Sequence, residues 1–390
     1  MLLLLACSSK ELNDLPELLS PSDDPAQYTV DTSIDYTPHF SEFDWIVPSD
    51  SLPASIVPMA SNNNVEIHFF EGKLYFAWRS APTHFASEET KIWIISSSDD
   101  GASWDFELEL DFNTDLREPR FVSHSGKLHF SFFEAGDNPA AFEPKHLWQL
   151  WKTTDGWSDP EPFLDEESVM WDIKERYGKL YMTTYDGAHY AQGDVYARFW
   201  ISEDGDSWSY VEDAEHVYVG GVSEIAFEFD ELGNLWAVGR NEDGDATGAG
   251  SQICFAPKDA LSEWDCLEQS DPERYDSPEL FRHGDSMYML ARRDIGGPFG
   301  PEGDLLAYST RPKAFSLYEI DKELKKVVWL EDLPGAGDTA FASVRRIDDH
   351  TFRFANYTAP LDDPNISWFT AQTSPLGTQI YMMNITFKPN

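Results

Sequence analysis

At 390 residues the chain has room for one large domain or two ordinary ones, and its 14% aromatic content, with 14 Trp, is enough to fill a large β core. Lys and Arg number 28 against 70 Asp and Glu, a formal net charge of −42 that argues against nucleic acid and anionic membrane surfaces as partners. The acidity fits a strongly solvated surface and identifies no substrate.

The chain opens MLLLLACSS, and Leu4-Leu5-Ala6-Cys7 resembles the end of a bacterial lipoprotein signal peptide, although the positively charged region is missing and the apolar run is short. This predicts a leader over residues 1–7, a lipid anchor at Cys7 as the one link to a membrane, and a place in the cell envelope facing outward; secretion is the other expectation. Residues 8–60 are rich in Ser, Pro, Asp and Glu and predict an acidic tether, with order expected only in its later part, around 43–48. From residue 61 to 390 a two-stranded pattern recurs around the turns at Gly72, Gly126, Gly178, Gly233, Gly284 and His350, at steps of about 50 to 66 residues. In the fourth copy, VSEIAFEFDELGNLWAVGRNE, Ile225, Phe227 and Phe229 alternate with smaller or polar neighbours, and 235–238 run back as the second strand. Six such units predict an all-β, six-bladed β-propeller of four-stranded antiparallel blades. Residues 379–387 are a strand candidate that a terminal partner would complete.

Because a hairpin returns to its starting edge, polar groups at the starts of the first strands and the ends of the second should line one mouth. The first set is Glu66, Glu118 with Arg120, Asp172, Glu224, Glu279 and Asp338. The second is Arg79, Glu134, Tyr185, Arg240, Arg293 and Tyr357. Their bland alternative is a ring of solvated charges around a plugged channel. Cys254 and Cys266 are spaced to close a local loop, the alternative being two buried thiols. Asp243 and Asp245, in NEDGD, carry a weak calcium-loop signal that lacks the full ligand pattern and reads better as an acidic turn; no other cofactor is expected.

Ser97-Ser98-Asp99-Asp100-Gly101-Ala102-Ser103-Trp104 matches the Asp-box, Ser-x-Asp-x-Gly-x-x-Trp; Asp204, Gly205 and Trp208 belong to a second, shifted copy, and 154–157 to a remnant. The motif is a turn device: the acid bonds backbone, Gly takes the positive φ and Trp packs into the sheet. With these copies, residues 60–390 resemble the sialidase superfamily, whose members with BNR repeats are six-bladed propellers. The resemblance implies that Glu224 polarises a Tyr nucleophile and that Arg240, sixteen residues on, binds a substrate carboxylate. It also implies that Arg293 or its neighbour Arg292 is the fifth-blade arginine of the clamp. The first strand of blade one has no Arg, which leaves Arg79 on the second. The 80–90 loop offers His84, Glu88 and Glu89 in place of an Asp acid, and Asp338-Thr339-Ala340-Phe341 stands where the Tyr is expected, with Tyr357 and Tyr185 as displaced candidates.

A second resemblance, to propeller glycosidases that cleave arabinan-type polymers, implies paired carboxylates drawn from Glu66, Asp172 and Glu224. The expected function is therefore a sialidase-like glycoside hydrolase of extracellular glycans, set against a surface propeller that binds glycans without turning them over. Either way the expected partner is a glycan or oligosaccharide.

Overall fold

The computed structural model describes residues 21, 22, 24–164 and 167–390, so Cys7 and the expected leader lie outside the described residues. The six sheets form a ring. Their inner strands are Ser61–Phe70, Asp115–His124, Val169–Arg176, Val222–Phe229, Asp276–His283 and Ser343–Arg346, and the second strands, in the same order, are Lys73–Ala81, Lys127–Ala135, Lys179–Gly187, Leu235–Asp245, Ser286–Asp294 and Thr351–Thr358. Each sheet is antiparallel, and helix is confined to short pieces such as Leu305–Thr310 and Trp368–Gln372. The protein is a six-bladed β-propeller.

Turn chemistry sets the hairpins. In the first three blades two consecutive residues take positive φ, Glu71-Gly72, Ser125-Gly126 and Tyr177-Gly178, the arrangement that matches strand twist in a two-residue turn. In blade four Asp230 bonds the backbone N–H groups of Leu232 and Asn234, and in blade six Asp348 does the same for His350 and Thr351. Between blades the core is apolar and aromatic: Phe281, Tyr288, Phe352, Phe354 and Phe387 pack together where blade five meets blade six. Outer edges carry the Ser-Asp-Gly-Trp turns. Ser103 N–H and Oγ–H both donate to Asp99, Gly101 N–H donates to Ser97 Oγ, and Trp104 is buried against Phe76. In the second copy Asp204 accepts from the N–H groups of Asp206 and Ser207, while Gly205 N–H bonds Ser202. Cys254 and Cys266 are joined by a disulfide that ties the outer strand of blade four to its neighbour.

Blade six is completed by the start of the chain. Tyr36–Phe40 pairs along the last strand, Gln379–Pro389, with Tyr36 opposite Pro389 and Phe40 opposite Ile385, and Asp44–Val47 pairs further along it. Part of the segment read as a tether to residue 60 is thus built into the ring. Before it, Pro25, Tyr28 and Val30 cross the turn end of the propeller, where Thr29 N–H donates to Asp349.

Candidate functional site

The inner strands are not regular where they reach the mouth. The ladder slips beside Asn64, Glu118, Trp171, Glu224 and Ser277, one residue or two in each of the first five blades. Asn64, Glu118, Glu224 and Ser277 there take φ values of 47, 53, 48 and 52°, the left-handed region in which a residue with a Cβ is strained by about 1–3 kcal/mol. Such a bulge re-aims a side chain that a regular strand would hold in the sheet. The two carboxyls, Glu118 and Glu224, come from blades two and four.

Around them runs a chain of alternating acids and bases. Arg79, fully buried, donates to Asp115 at 2.7 Å, and Arg117 pairs with the other oxygen of Asp115 while donating to the carbonyl of His84 at 3.0 Å. His84 Nδ1 lies 2.9 Å from Asp338, which accepts from the Tyr357 hydroxyl at 3.2 Å; Arg292 donates to that hydroxyl at 3.4 Å and to Asp276 at 3.0 Å. Arg240 closes the circuit, 3.6 Å from Asp276 and 2.9 Å from Glu224 Oε1. Glu224 Oε2 accepts from Ser277 N–H at 2.8 Å, and Asn64 donates to Glu118 at 3.3 Å. Tyr185 is buried under this rim with its ring against His189, which itself bridges Arg240 and Asp243.

Below the carboxyls the channel is filled. The Trp171 indole meets Phe341 at 5.1 Å and donates to Pro278 O, and the Arg120 guanidinium lies over both rings. Deeper still, Glu66, Asp172 and Glu279 alternate with Arg120, Lys174 and Arg345. Glu66 binds Arg120 at 3.1 Å and also Arg345, while Lys174 sits 2.7 Å from Asp172 and 3.5 Å from Glu279. Three acids face three bases here, with burial pushing the Glu279 carboxyl up to about 7 against the pull of Lys174, and these sequence candidates belong to the plug and not to the rim. Glu66 and Asp172 are committed to ion pairs because an unpaired charge in such a place is costly. Arg293 is also away from the mouth: it pairs with Asp332 at the blade surface, and its neighbour Arg292 takes the rim position. Asp243 and Asp245 direct oxygens at His189, Tyr218 and Thr247, and among the described residues no group of three His, Cys, Asp or Glu is arranged for a metal ion.

Electrostatics separates the groups. Burial, reinforced by the Glu224 carboxylate, pushes the Glu118 carboxyl up to about 7 against the pull of Arg117. Glu224 is raised by burial with Arg240 opposing, whereas Asp338 is held low, its burial outweighed by His84 and Arg292. Burial and then Asp338 push the Tyr357 hydroxyl well above its usual range, with Arg292 opposing. Five rim guanidiniums, Arg79, Arg117, Arg240, Arg274 and Arg292, face six carboxyls, Asp115, Glu118, Glu224, Glu242, Asp276 and Asp338. The guanidiniums are thereby neutralised within the protein.

Sequence reasoning missed Asp115, Arg117, Asp276, Arg274, Glu242 and Tyr308. A signal existed for Asp276, which precedes Arg292 by the same sixteen residues that separate Glu224 from Arg240. None existed for Tyr308, which arrives from the short helix after blade five's second strand to bond Asp276 and to lie 4.1 Å from the Arg274 guanidinium.

No protein-family model matches the sequence, and no curated protein does. Solved structures do. A Dyadobacter fermentans protein of unknown function superposes with a TM-score of 0.61 at 11% identity, over 90% of this chain and 99% of that one. Trypanosoma rangeli sialidase in complex with sialic acid gives 0.56 at 14% identity, over 83% of this chain and 54% of its own length. A Hadza microbial sialidase gives 0.56 at 13%, over 85% of this chain and 66% of that one. This chain therefore spans about half of the trypanosomal enzyme. At such identities the likeness concerns the backbone alone: this is the six-bladed propeller fold that sialidases also have.

Proposed function

We propose that the mouth is a glycoside hydrolase site in which Glu118 donates a proton to the leaving oxygen and Glu224, held by Arg240 and Ser277 N–H, acts as base or nucleophile. One observation carries the reading: bulges in blades two and four present Glu118 and Glu224 to the same mouth, where burial and then the Glu224 carboxylate push the Glu118 carboxyl up to about 7. A carboxyl pushed up to about 7 is about half protonated at neutral pH and can serve as the acid, while Glu224, paired with Arg240, supplies the negative charge. The neutralised guanidiniums favour a polyhydroxyl sugar over a strongly anionic one, since each fork would have to leave a carboxylate to take a substrate's. A sialidase-like reading rests on a different observation, the Tyr357 hydroxyl placed between Asp338 and Arg292.

Turnover of a panel of aryl glycosides and aryl sialosides separates these readings. Glu118→Gln and Glu224→Gln should each slow hydrolysis by about 10²-fold or more, with Glu118→Gln spared on substrates whose leaving group needs no protonation. Full activity in Glu118→Gln together with loss in Tyr357→Phe would favour the Tyr reading. Saturable binding without turnover on any substrate would leave a glycan-binding propeller.

A further inference from the structure

We propose that Arg282 and Arg346 hold a tetrahedral oxyanion of the phosphate or sulfate class at the end of the channel opposite the mouth. Two cavities adjoin these side chains. The inner one, about 30 Å³, is bounded by Lys174, Arg176, Arg282, Arg345 and Arg346 against, among the described residues, only Glu228 and Glu279. The outer one, about 190 Å³, lies beneath Pro25, Tyr28 and Thr32 and has Asp285 as its one carboxylate among the described residues. In a chain with so few bases this concentration of positive charge is unusual.

Most of the cations at this end are balanced. Arg176 holds Glu228 with two bonds of 2.8 and 2.5 Å, Lys174 pairs with Asp172, and Arg345 with Glu66. Arg282 and Arg346 differ. Arg346 is 5% exposed, and the hydrogen bonds it donates end on the backbone carbonyls of Asp348, Asp349 and Arg282, with Tyr28 and Phe352 on its faces. Arg282 donates Nη1 to Gly284 O, and its Nε is buried with no acceptor among the described residues. Among the described residues these two neighbouring guanidiniums hydrogen-bond carbonyls and no carboxylate, which leaves a positive field in a partly enclosed space. Burial draws Arg346 down to about 10, with Arg282 adding to it and Tyr28, Glu228 and Asp349 opposing, so the surrounding acids do not offset the burial of this cation. Forked N–H donors suit a tetrahedral oxyanion, whose paired oxygens they meet two at a time. The outer cavity is large enough for such an ion, and residues from the start of the chain close over it.

The test is thermal melting in sodium phosphate and in sodium sulfate against sodium gluconate at one fixed ionic strength, with crystals grown in each salt. A bound oxyanion raises Tm saturably with its own concentration. That rise should disappear in Arg282→Gln, and density for the ion should lie between the two guanidiniums. Phosphate acting alone would assign the site to phosphate, and both salts acting would assign it to the oxyanion class. If Arg282→Gln does not fold, Arg346→Lys gives the same comparison, because an ammonium keeps the charge and loses the fork. An equal salt increment in wild type and variant would overturn the proposal, as would water alone in the cavity, or saturation by sodium bromide without saturation by either oxyanion.

Discussion

Folding forces the Glu118 carboxyl to hold its proton to about 7, from a usual value of 4.5, through burial and then Glu224. Between those two pH values the folded chain binds more protons at this position than the unfolded chain, so stability falls as pH rises through the window. A shift of this size amounts to at most on the order of 3 kcal/mol. Glu118→Gln removes the titration: urea melts at pH 5 and pH 7 should show the variant gaining on wild type at the higher pH, and parallel changes would refute the assignment. The Glu224–Arg240 pair was legible in the sequence because a hairpin of known turn places residues sixteen apart at one edge, and Arg240 does meet Glu224 at 2.9 Å. The depth of a side chain was not legible. Glu66, Asp172 and Glu279 sit on inner strands, as the rim acids Glu118, Glu224 and Asp276 do, yet each points into the plug, a distinction set by bulges that leave no mark in hydrophobic alternation.

At the scale of elements, the repeat of turns announced six hairpins because Gly and Asp at these turns have a local physical cause. The closing strand had no comparable signal. Tyr36–Phe40 is short, contains Pro38 and shows an intermediate and exposed alternation; its pairing with Gln379–Pro389 is decided by contacts from the far end of the chain. An outer strand with these features protects the edge of blade six, and removing it bares a row of backbone donors and acceptors beside Ile385 and Phe387. A chain beginning at Asp44 should therefore melt several degrees lower than the full chain and should self-associate in sedimentation. Melting and mass identical to those of the full chain would show that the strand adds nothing to the ring.

Across the whole molecule, the bases are spent inside. Arg79, Arg120, Arg240, Arg274, Arg292 and Arg346 are buried, as are Lys174 and Lys313, the last held by Asp294 with its ammonium drawn down to about 8 by burial. With 28 bases against 70 acids in the chain and acids buried beside these bases, the surface keeps nearly all of the acidic excess. Carboxylates spread over one compact surface repel one another, and that repulsion is relieved by salt within a Debye length of about 10 Å at 0.1 M. The interior lattice is shielded from bulk ions and gains little from the same salt, because its pairs are already in contact. Raising sodium chloride from low to molar concentration should therefore increase Tm steadily, with the largest part of the gain below about 0.2 M, where screening changes most. Replacing chloride by gluconate at equal ionic strength should leave that general gain unchanged. Lowering pH to 4.5 at low salt should reproduce part of it, since partial protonation of surface carboxylates removes the same repulsion. A flat or falling Tm across that salt range would mean that the interior pairs, and not the surface carboxylates, dominate the electrostatic stability of the fold.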